Sequence, residues 1–401
     1  MRAYIQLLLV MQTLFVSFSL YSVSDVPHKT VCLNMIVKDE SKVIERCLTS
    51  VLPIIDSWVI VDTGSTDGTQ NIIKKFMKEH GVPGTLYERP WVNFEHNRNE
   101  ALQLAQNKAD YVFFIDADEY LVYEPDFKLP NLDKDYYYVT LTSGGTKFGK
   151  VQLLNNHQDW KWVGVVHEVI ALPASRTVAT LDKVVNIYTK DGVRSRDPKI
   201  YEKDAAILEA ALEKEPNNSR YVFYLAQSYR DAGNYPKALE NYEKRVKMGE
   251  WDQEVFYAML AVAYLQEQMK MAPEVVLDSY KKSFIYRPSR AEPIYHLANY
   301  YRNQNNFEKG YQTAKLGLTL PISKDVLFVN QWMHDIGIPL EYSISAYWIG
   351  KYEESHQASL DLLKREDLSP EVRTCVEQNL GFAKAKLLEQ LLVNPVTAVT
   401  P

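Results

Sequence analysis

Residues 111–121 read YVFFIDADEYL, a short apolar run that stops on three carboxylates, Asp116, Asp118 and Glu119. A run of this length, rich in aromatic and β-branched side chains, is expected as a strand buried on both faces. The acids then stand where the strand leaves its sheet. In open α/β sheets ligands bind beyond the carboxyl ends of the strands. Two carboxylates one residue apart at such an end, Asp116 and Asp118, can hold a hard divalent cation, which can in turn hold a diphosphate. An isolated DxD would read better as an acidic loop that only keeps a strand end soluble, so the weight falls on the rest of the chain.

The same pattern recurs upstream. From Thr30 the run TVCLNMIVKDE closes on Lys38, Asp39 and Glu40, and Ser41 is a candidate N-cap for a helix with Val43, Ile44, Leu48 and Val51 on its apolar face. Ile54 to Val61 is expected as a second strand, ending at Asp62 and TGSTDGT before a helix over Gln70–His80. Two glycines and several hydroxyls between strand and helix make a tight turn whose N–H groups are expected to face an anion or nucleotide. Gly81 to Tyr87 reads as a third strand, and Phe94 to Asn107 as a helix carrying Arg98 and Asn99. This alternation predicts an α/β domain with a mainly parallel sheet and right-handed crossovers. Three acidic strand ends at one sheet edge repel one another, which calls for a bound cation or sugar nucleotide.

The motifs MIVKDE, VDTGSTDGT, RNEAL and FIDADEYL, in that order, resemble the core of the family-2 glycosyltransferases with the GT-A fold, over roughly Thr30 to Tyr188. Those enzymes move a sugar from a nucleotide diphosphate sugar to an acceptor. The resemblance implies that Asp62 faces the base, Glu40 shapes the same pocket and Arg98 lies near the phosphates. It implies further that Asp116 lies near the ribose and the metal, and that Asp118 is the direct ligand of a divalent cation, Mn or Mg. Many members carry two acids where this chain has Asp62-Thr63, which bears on nucleotide identity. Farther along, WVGVVHE resembles a motif that follows the DxD in a bacterial branch of the family. Glu168 there is expected as the general base and His167 as a metal or phosphate ligand. Without the upstream motifs a His-Glu pair would read as a solvated turn. Arg194 and Arg196 either close over the diphosphate or serve as linker charges. The implied reaction is a single inverting displacement onto the hydroxyl of a glycan, lipid or protein acceptor, and no Ser-His or Cys-His nucleophile is in evidence.

From Lys199 onward the apolar spacing is helical. YLAQSY, MLAVAY and HLANYY set Ala226, Ala261 and Ala298 in register at offsets near the 34-residue tetratricopeptide helix pair. The aromatics around them, Tyr229, Tyr242, Tyr264 and Tyr280, are expected mainly as core. Tyr201–Lys214 is expected to cap one end, with Tyr342–Leu363 and Pro370–Leu391 as an irregular repeat and a capping helix. Such an array binds a protein partner, self-associates or buttresses the first domain. The domain reading is therefore a leader over 1–24, a GT-A domain over 30–192 and an all-α tetratricopeptide-like solenoid over 199–391.

The formal charge of −6 and the lack of a basic run argue against nucleic acid as a partner. Three cysteines, Cys32, Cys47 and Cys375, are too few for a disulfide framework, and Cys32 is expected as a small buried hydrophobe. Tyr4–Leu20 reads as a secretory signal or an uncleaved anchor. The expected location is membrane-associated or secretory, with a peripheral cytoplasmic enzyme as the alternative. Two rival functions stand beside the transferase. A DxD phosphatase-type phosphoryl transferase would want Thr or Val soon after the second Asp, where Glu119 and Tyr120 follow. A scaffold with a decayed transferase domain has Thr63 as its one hint.

Overall fold

Strand β1 (Val31–Val37) is central because both its faces are apolar: Val31, Leu33, Met35 and Val37 enter one core layer and Cys32 the opposite one. The first layer is closed by α1 (Ile44–Val51), and after it come β2 (Ser57–Asp62), α2 (Thr69–Glu79), β3 (Gly84–Glu88), α3 (Phe94–Ala105) and β4 (Tyr111–Phe114). Helices α1 and α2 cover one face of the sheet, while Leu102 and Ala105 of α3 cover the other. Asn34, buried on the α3 side, donates to Val59 O (3.2 Å) and Ala101 O (2.9 Å) and so ties β1 to a strand and a helix at once. The structure is a computed structural model that describes residues 28–143, 146–171 and 176–393.

The second part of the sheet comes from β5 (Glu119–Tyr123), β6 (Tyr136–Ser143), β7 (Thr146–Asn155) and β10 (Val178–Tyr188), with β8 (Trp162–Val163) and β9 (Val169–Ile170) as a separate two-stranded ribbon. The eight strands run in the order β3-β2-β1-β4-β7-β6-β10-β5. The expected parallel character holds for β3, β2, β1 and β4. Beyond β4 the sheet is mixed: β7 runs antiparallel to both β4 and β6, β10 is parallel to β6, and β5 is antiparallel to β10. The reason lies in the connections, since β6 and β7 are joined by a hairpin, with no crossover helix to return the chain. Ser41 is not a helix cap; α1 begins at Ile44 after a turn, and Ser41 N instead donates to Asp67 Oδ2 (3.0 Å).

The helical domain comprises α4 (Ile200–Lys214), α5 (Ser219–Asp231), α6 (Tyr235–Met248), α7 (Asp252–Gln268), α8 (Pro273–Tyr286), α9 (Glu292–Asn303), α10 (Phe307–Gly317), α11 (Ile338–Trp348), α12 (Tyr352–Leu363) and α13 (Pro370–Val393). The pairs α5/α6, α7/α8 and α9/α10 form the tetratricopeptide-like repeat. Ala226, Ala261 and Ala298 are buried in it, and asparagine side chains cap α5, α6 and α10. Tyr229, Tyr242 and Tyr280 are core as expected, whereas Tyr264 is exposed. The irregular repeat is itself a helix pair, α11 and α12, turned at Gly350 with φ +80°. Among the described residues no helix is long and apolar enough to cross a membrane. The Tyr4–Leu20 leader and the tail from Asn394 lie outside the described residues.

Candidate active site

The strand order reverses direction beside β1, with β2 and β3 on one side and β4 on the other, and the crevice beyond their carboxyl ends is the expected ligand position. Glu40 follows β1, Asp62 ends β2, and Asp116 and Asp118 follow β4. The expected repulsion among these acids is largely answered within the chain. Asp116 accepts from Arg98 Nη2 (2.7 Å) and Lys150 Nζ (3.1 Å). Burial alone would raise its carboxyl, but Arg98 and Lys150 outweigh burial and hold it well below the usual carboxylate range. Lys150 also meets Glu119 (2.7 Å), whose other oxygen accepts from buried Asn186 (2.9 Å).

Lys150 was not among the expected site residues. Strand β7 runs antiparallel to β4 with Phe113 opposite Leu153, and continuing that register brings Lys150 alongside Asp116. A single lysine leading the apolar run VQLL was the available signal.

The glycine-rich turn also departs from expectation. Four of its N–H groups do not stand open to a ligand: Gly64 N (3.0 Å) and Ser65 N (2.8 Å) donate to Asp62 Oδ1, Thr66 N to Asp39 Oδ1 (2.6 Å) and Thr69 N to Asp67 Oδ1 (3.1 Å). Asp62 is 1% exposed, and while Oδ1 also accepts from Gln70 (3.1 Å), Oδ2 is buried without a partner. A buried acceptor in that state is costly unless something donates to it.

Two carboxylates at the crevice keep no cationic partner at ion-pair distance among the described residues. Asp118 is pushed up to about 6 by burial and then by the charges of Asp116 and Glu119. Glu40 is pushed up to about 7, chiefly by burial, with Asp118 adding to it and Arg196 opposing. Both are covered by the segment after β10. Thr189 Oγ1 donates to Asp118 O (2.7 Å), and Val193 N donates to Glu40 Oε2 (3.3 Å). A Cβ on Gly192 would stand 2.9 Å from Asp118 Oδ2, so the strap passes this close because the residue is glycine. Asp191 anchors the strap to α1 through a two-bond pair with Arg46 (2.8 and 2.8 Å). Arg194 anchors it to α4 through Asp204 (2.6 and 2.8 Å). Arg196 is exposed and holds Asp191 O, so of the two strap arginines it has the freer reach toward the crevice.

Arg98 is not an open phosphate fork. Its Nε donates to Glu168 Oε1 (2.5 Å), its Nη2 to Asp116, and it lies 5.0 Å over the Trp162 ring. The ring of His167 stacks on Tyr224 of α5 at 4.1 Å, and burial followed by Arg194 lowers it to about 4 despite an edge open to solvent. Asp116, Asp118 and His167 therefore do not come together as a ligand set: among the described residues no three His, Cys, Asp or Glu side chains could jointly hold a metal.

The raised carboxyls give a pH prediction. Their native forms retain protons that the unfolded chain has released, so they contribute stability below the ordinary carboxylate range that is lost as pH rises through about 6 to 7. His167, lowered to about 4, acts in the opposite sense below pH 6.5. The informative quantity is thus the difference between the wild type and a Glu40→Gln/Asp118→Asn variant, both without added cation. The variant is expected to lose the part of the decline between pH 5 and 7.5 that the two acids cause, read by thermal unfolding. Equal slopes would mean that neither acid retains its proton.

Parts of the chain are similar to known proteins. Residues 32–138 match the model of Glycosyl transferase family 2. A TPR repeat-containing protein of Synechococcus elongatus is 25% identical over 71% of this chain and 74% of its own length. The SPbeta prophage-derived glycosyltransferase SunS of Bacillus subtilis is 25% identical over 56% of each chain, so this chain spans little more than half of that protein. Among solved structures, a tetratricopeptide repeat protein from Parabacteroides merdae overlaps 49% of this chain and 74% of its own at 20% identity and a TM-score of 0.35. Residues 32–138 are thus similar to glycosyl transferase family 2, which with the glycosyltransferase relatives supports a glycosyltransferase domain, and the helices that follow are tetratricopeptide-like.

Proposed function

We propose that the chain transfers a sugar, with inversion, from a nucleotide diphosphate sugar to an acceptor hydroxyl, and that the reaction depends on a divalent cation. The observation that carries this reading is Asp118, a half-buried carboxylate beside the crevice that is raised to about 6 and lacks a cationic partner at ion-pair distance. A divalent ion would replace that proton, and Mg or Mn held by one or two carboxylates plus substrate phosphates needs no all-protein cage. Bound there, the ion would offset the negative charge that grows on the departing diphosphate.

The chain's own groups take the remaining tasks. Asp62 Oδ2 awaits a donor such as an N–H of the nucleotide base, and Glu40 borders the same pocket. Arg196 can reach the phosphates once it releases Asp191 O. Arg98 holds Glu168 by one oxygen and leaves Oε2 to take the acceptor proton. Asp116 serves as the counter-charge that fixes Arg98, and His167 as a structural partner of Tyr224. The acceptor is a glycan, lipid or protein hydroxyl.

The test is thermal unfolding of the chain from Asp25 with UDP, GDP, CDP and dTDP, each with and without Mn. One nucleotide should stabilise it in the presence of the metal alone, by about 2.7 kcal/mol at roughly 100 times its dissociation constant. Asp62→Asn should weaken that response. Flat responses to all four would overturn the reading.

A further inference from the structure

The loop that carries Glu168 is held from two sides, by two different domains. On the sheet side α3 presents Glu95, Arg98 and Asn99 at helical spacing. Glu95 accepts from Gly164 N (3.1 Å), Asn99 exchanges two bonds with the Trp162 backbone (2.9 and 2.9 Å), and Arg98 meets Glu168 (2.5 Å). On the other side Val166 is 2% exposed and belongs to the apolar core of the helical domain, with Leu208, Tyr221 and Leu225. His167 stacks on Tyr224 with an interplanar angle of 17°, and Arg220 Nη2 donates to His167 O (3.0 Å). The Arg220 guanidinium lies 4.7 Å over the same Tyr224 ring, with Glu254 of α7 at 3.7 Å.

Backbone conformation makes this division possible. Gly164 has φ +111° and His167 φ +55°, so two residues of the loop that turns β8 back into antiparallel β9 take left-handed backbone. A left-handed residue other than glycine costs on the order of 1 kcal/mol and persists where its surroundings determine it. Here the determinants of His167 are Tyr224 and Arg220. Glu168 is the next residue, so its backbone is set by contacts of the helical domain on His167 while its carboxylate is held by Arg98 of the sheet domain.

We propose that Tyr224 and Arg220 are positioning residues for Glu168, and that the helical domain thereby completes the active site; this rests on the assignment of Glu168 as the base. A misplacement of about 1 Å can cost roughly a hundredfold in rate. The test uses the full chain as wild type, Tyr224→Ala, Tyr224→Phe and Glu168→Gln. Amide hydrogen exchange is followed at residues 165–169. Turnover is followed as nucleoside diphosphate released from UDP-glucose, UDP-N-acetylglucosamine and GDP-mannose with water as the acceptor, one free sugar forming for each diphosphate released.

In Tyr224→Ala the loop amides should exchange at least tenfold faster while those of β1 and β4 keep their protection. Its kcat should fall about tenfold or more with the donor KM within twofold, and Tyr224→Phe, which keeps the stacked ring, should restore both. Unchanged exchange in Tyr224→Ala overturns the proposal. So does a loss of protection that extends through β1 and β4, or one that Tyr224→Phe shares. Full turnover in Tyr224→Ala beside an inactive Glu168→Gln overturns this proposal alone. Full turnover in Glu168→Gln overturns the base assignment and this proposal with it.

Discussion

An Asp118→Asn enzyme is expected to transfer sugar at about one hundredth of the wild-type rate or less. The effect follows from where Asp118 stands. Asp116 is already neutralised by Arg98 and Lys150, so it cannot take over as the anionic ligand without breaking two ion pairs. Glu119 is likewise held by Lys150 and Asn186. Asparagine matches Asp118 in size beside Gly192 but loses the charge that would hold the cation. Losing several kcal/mol of charge stabilisation in the transition state corresponds to that rate. The fold should be unharmed, because removing one of several crowded acids relieves repulsion, so the melting temperature without ligand should equal or exceed that of the wild type. Steady-state turnover at saturating metal, with an unfolding curve beside it, checks both halves. Wild-type turnover would remove Asp118 from the mechanism.

The second large effect is on stability. Lys150→Met should destabilise the sheet domain by about 3 kcal/mol, since removing one partner of a buried ion pair leaves an uncompensated charge. Glu119 is 3% exposed and would keep only neutral donors, Asn186 (2.9 Å) and the Asp116 N–H (3.3 Å), while Asp116 would keep Arg98. Methionine fills the same volume, which separates the charge from packing. Adding Glu119→Gln should recover most of the loss, because the remaining group is then neutral and can still accept from Asn186. Urea unfolding at pH 7 of the single and double variants gives the comparison. A double variant no more stable than Lys150→Met would show that the deficit comes from packing.

How legible this was in the sequence depended on how local the cause was. Strands β1 to β4 could be read from apolar runs that end in acids, and their boundaries moved by at most three residues at either end. The mixed half of the sheet was less accessible. EYLVY follows the DxD directly and no break sets it apart as an element, yet it is strand β5, paired with a segment some sixty residues later. Strand β10 alternates exposed and buried residues and stood next to no diagnostic motif. Within the site, the positions of Glu40, Asp62, Asp116 and Asp118 at strand ends were visible because strand ends are local. Their partners were not. Lys150 reaches Asp116 through antiparallel register, Gly192 reaches Asp118 through a strap, and Tyr224 reaches His167 from another domain. Four of the amides expected to stand open in the glycine-rich turn do not, because Asp39, Asp62 and Asp67 satisfy them from within.

The place of β5 also bears on the order in which the protein assembles. Asp118 sits between β4 and β5, which are neighbours in sequence but stand fourth and eighth across the sheet. Glu119 pairs with Tyr188, and Thr189 N donates to Asp118 O (3.2 Å). Contacts this distant in sequence must overcome loop-closure entropy before they contribute anything, so they form late. On a ribosome the three parallel pairings among β1 to β4 can be made once residue 114 has emerged, whereas the carboxylate between β4 and β5 waits for residue 189. Nascent chains therefore pass through a stage with a formed half-sheet and an unfinished acid edge, so the edge proposed to hold the cation is the last part of the sheet to close.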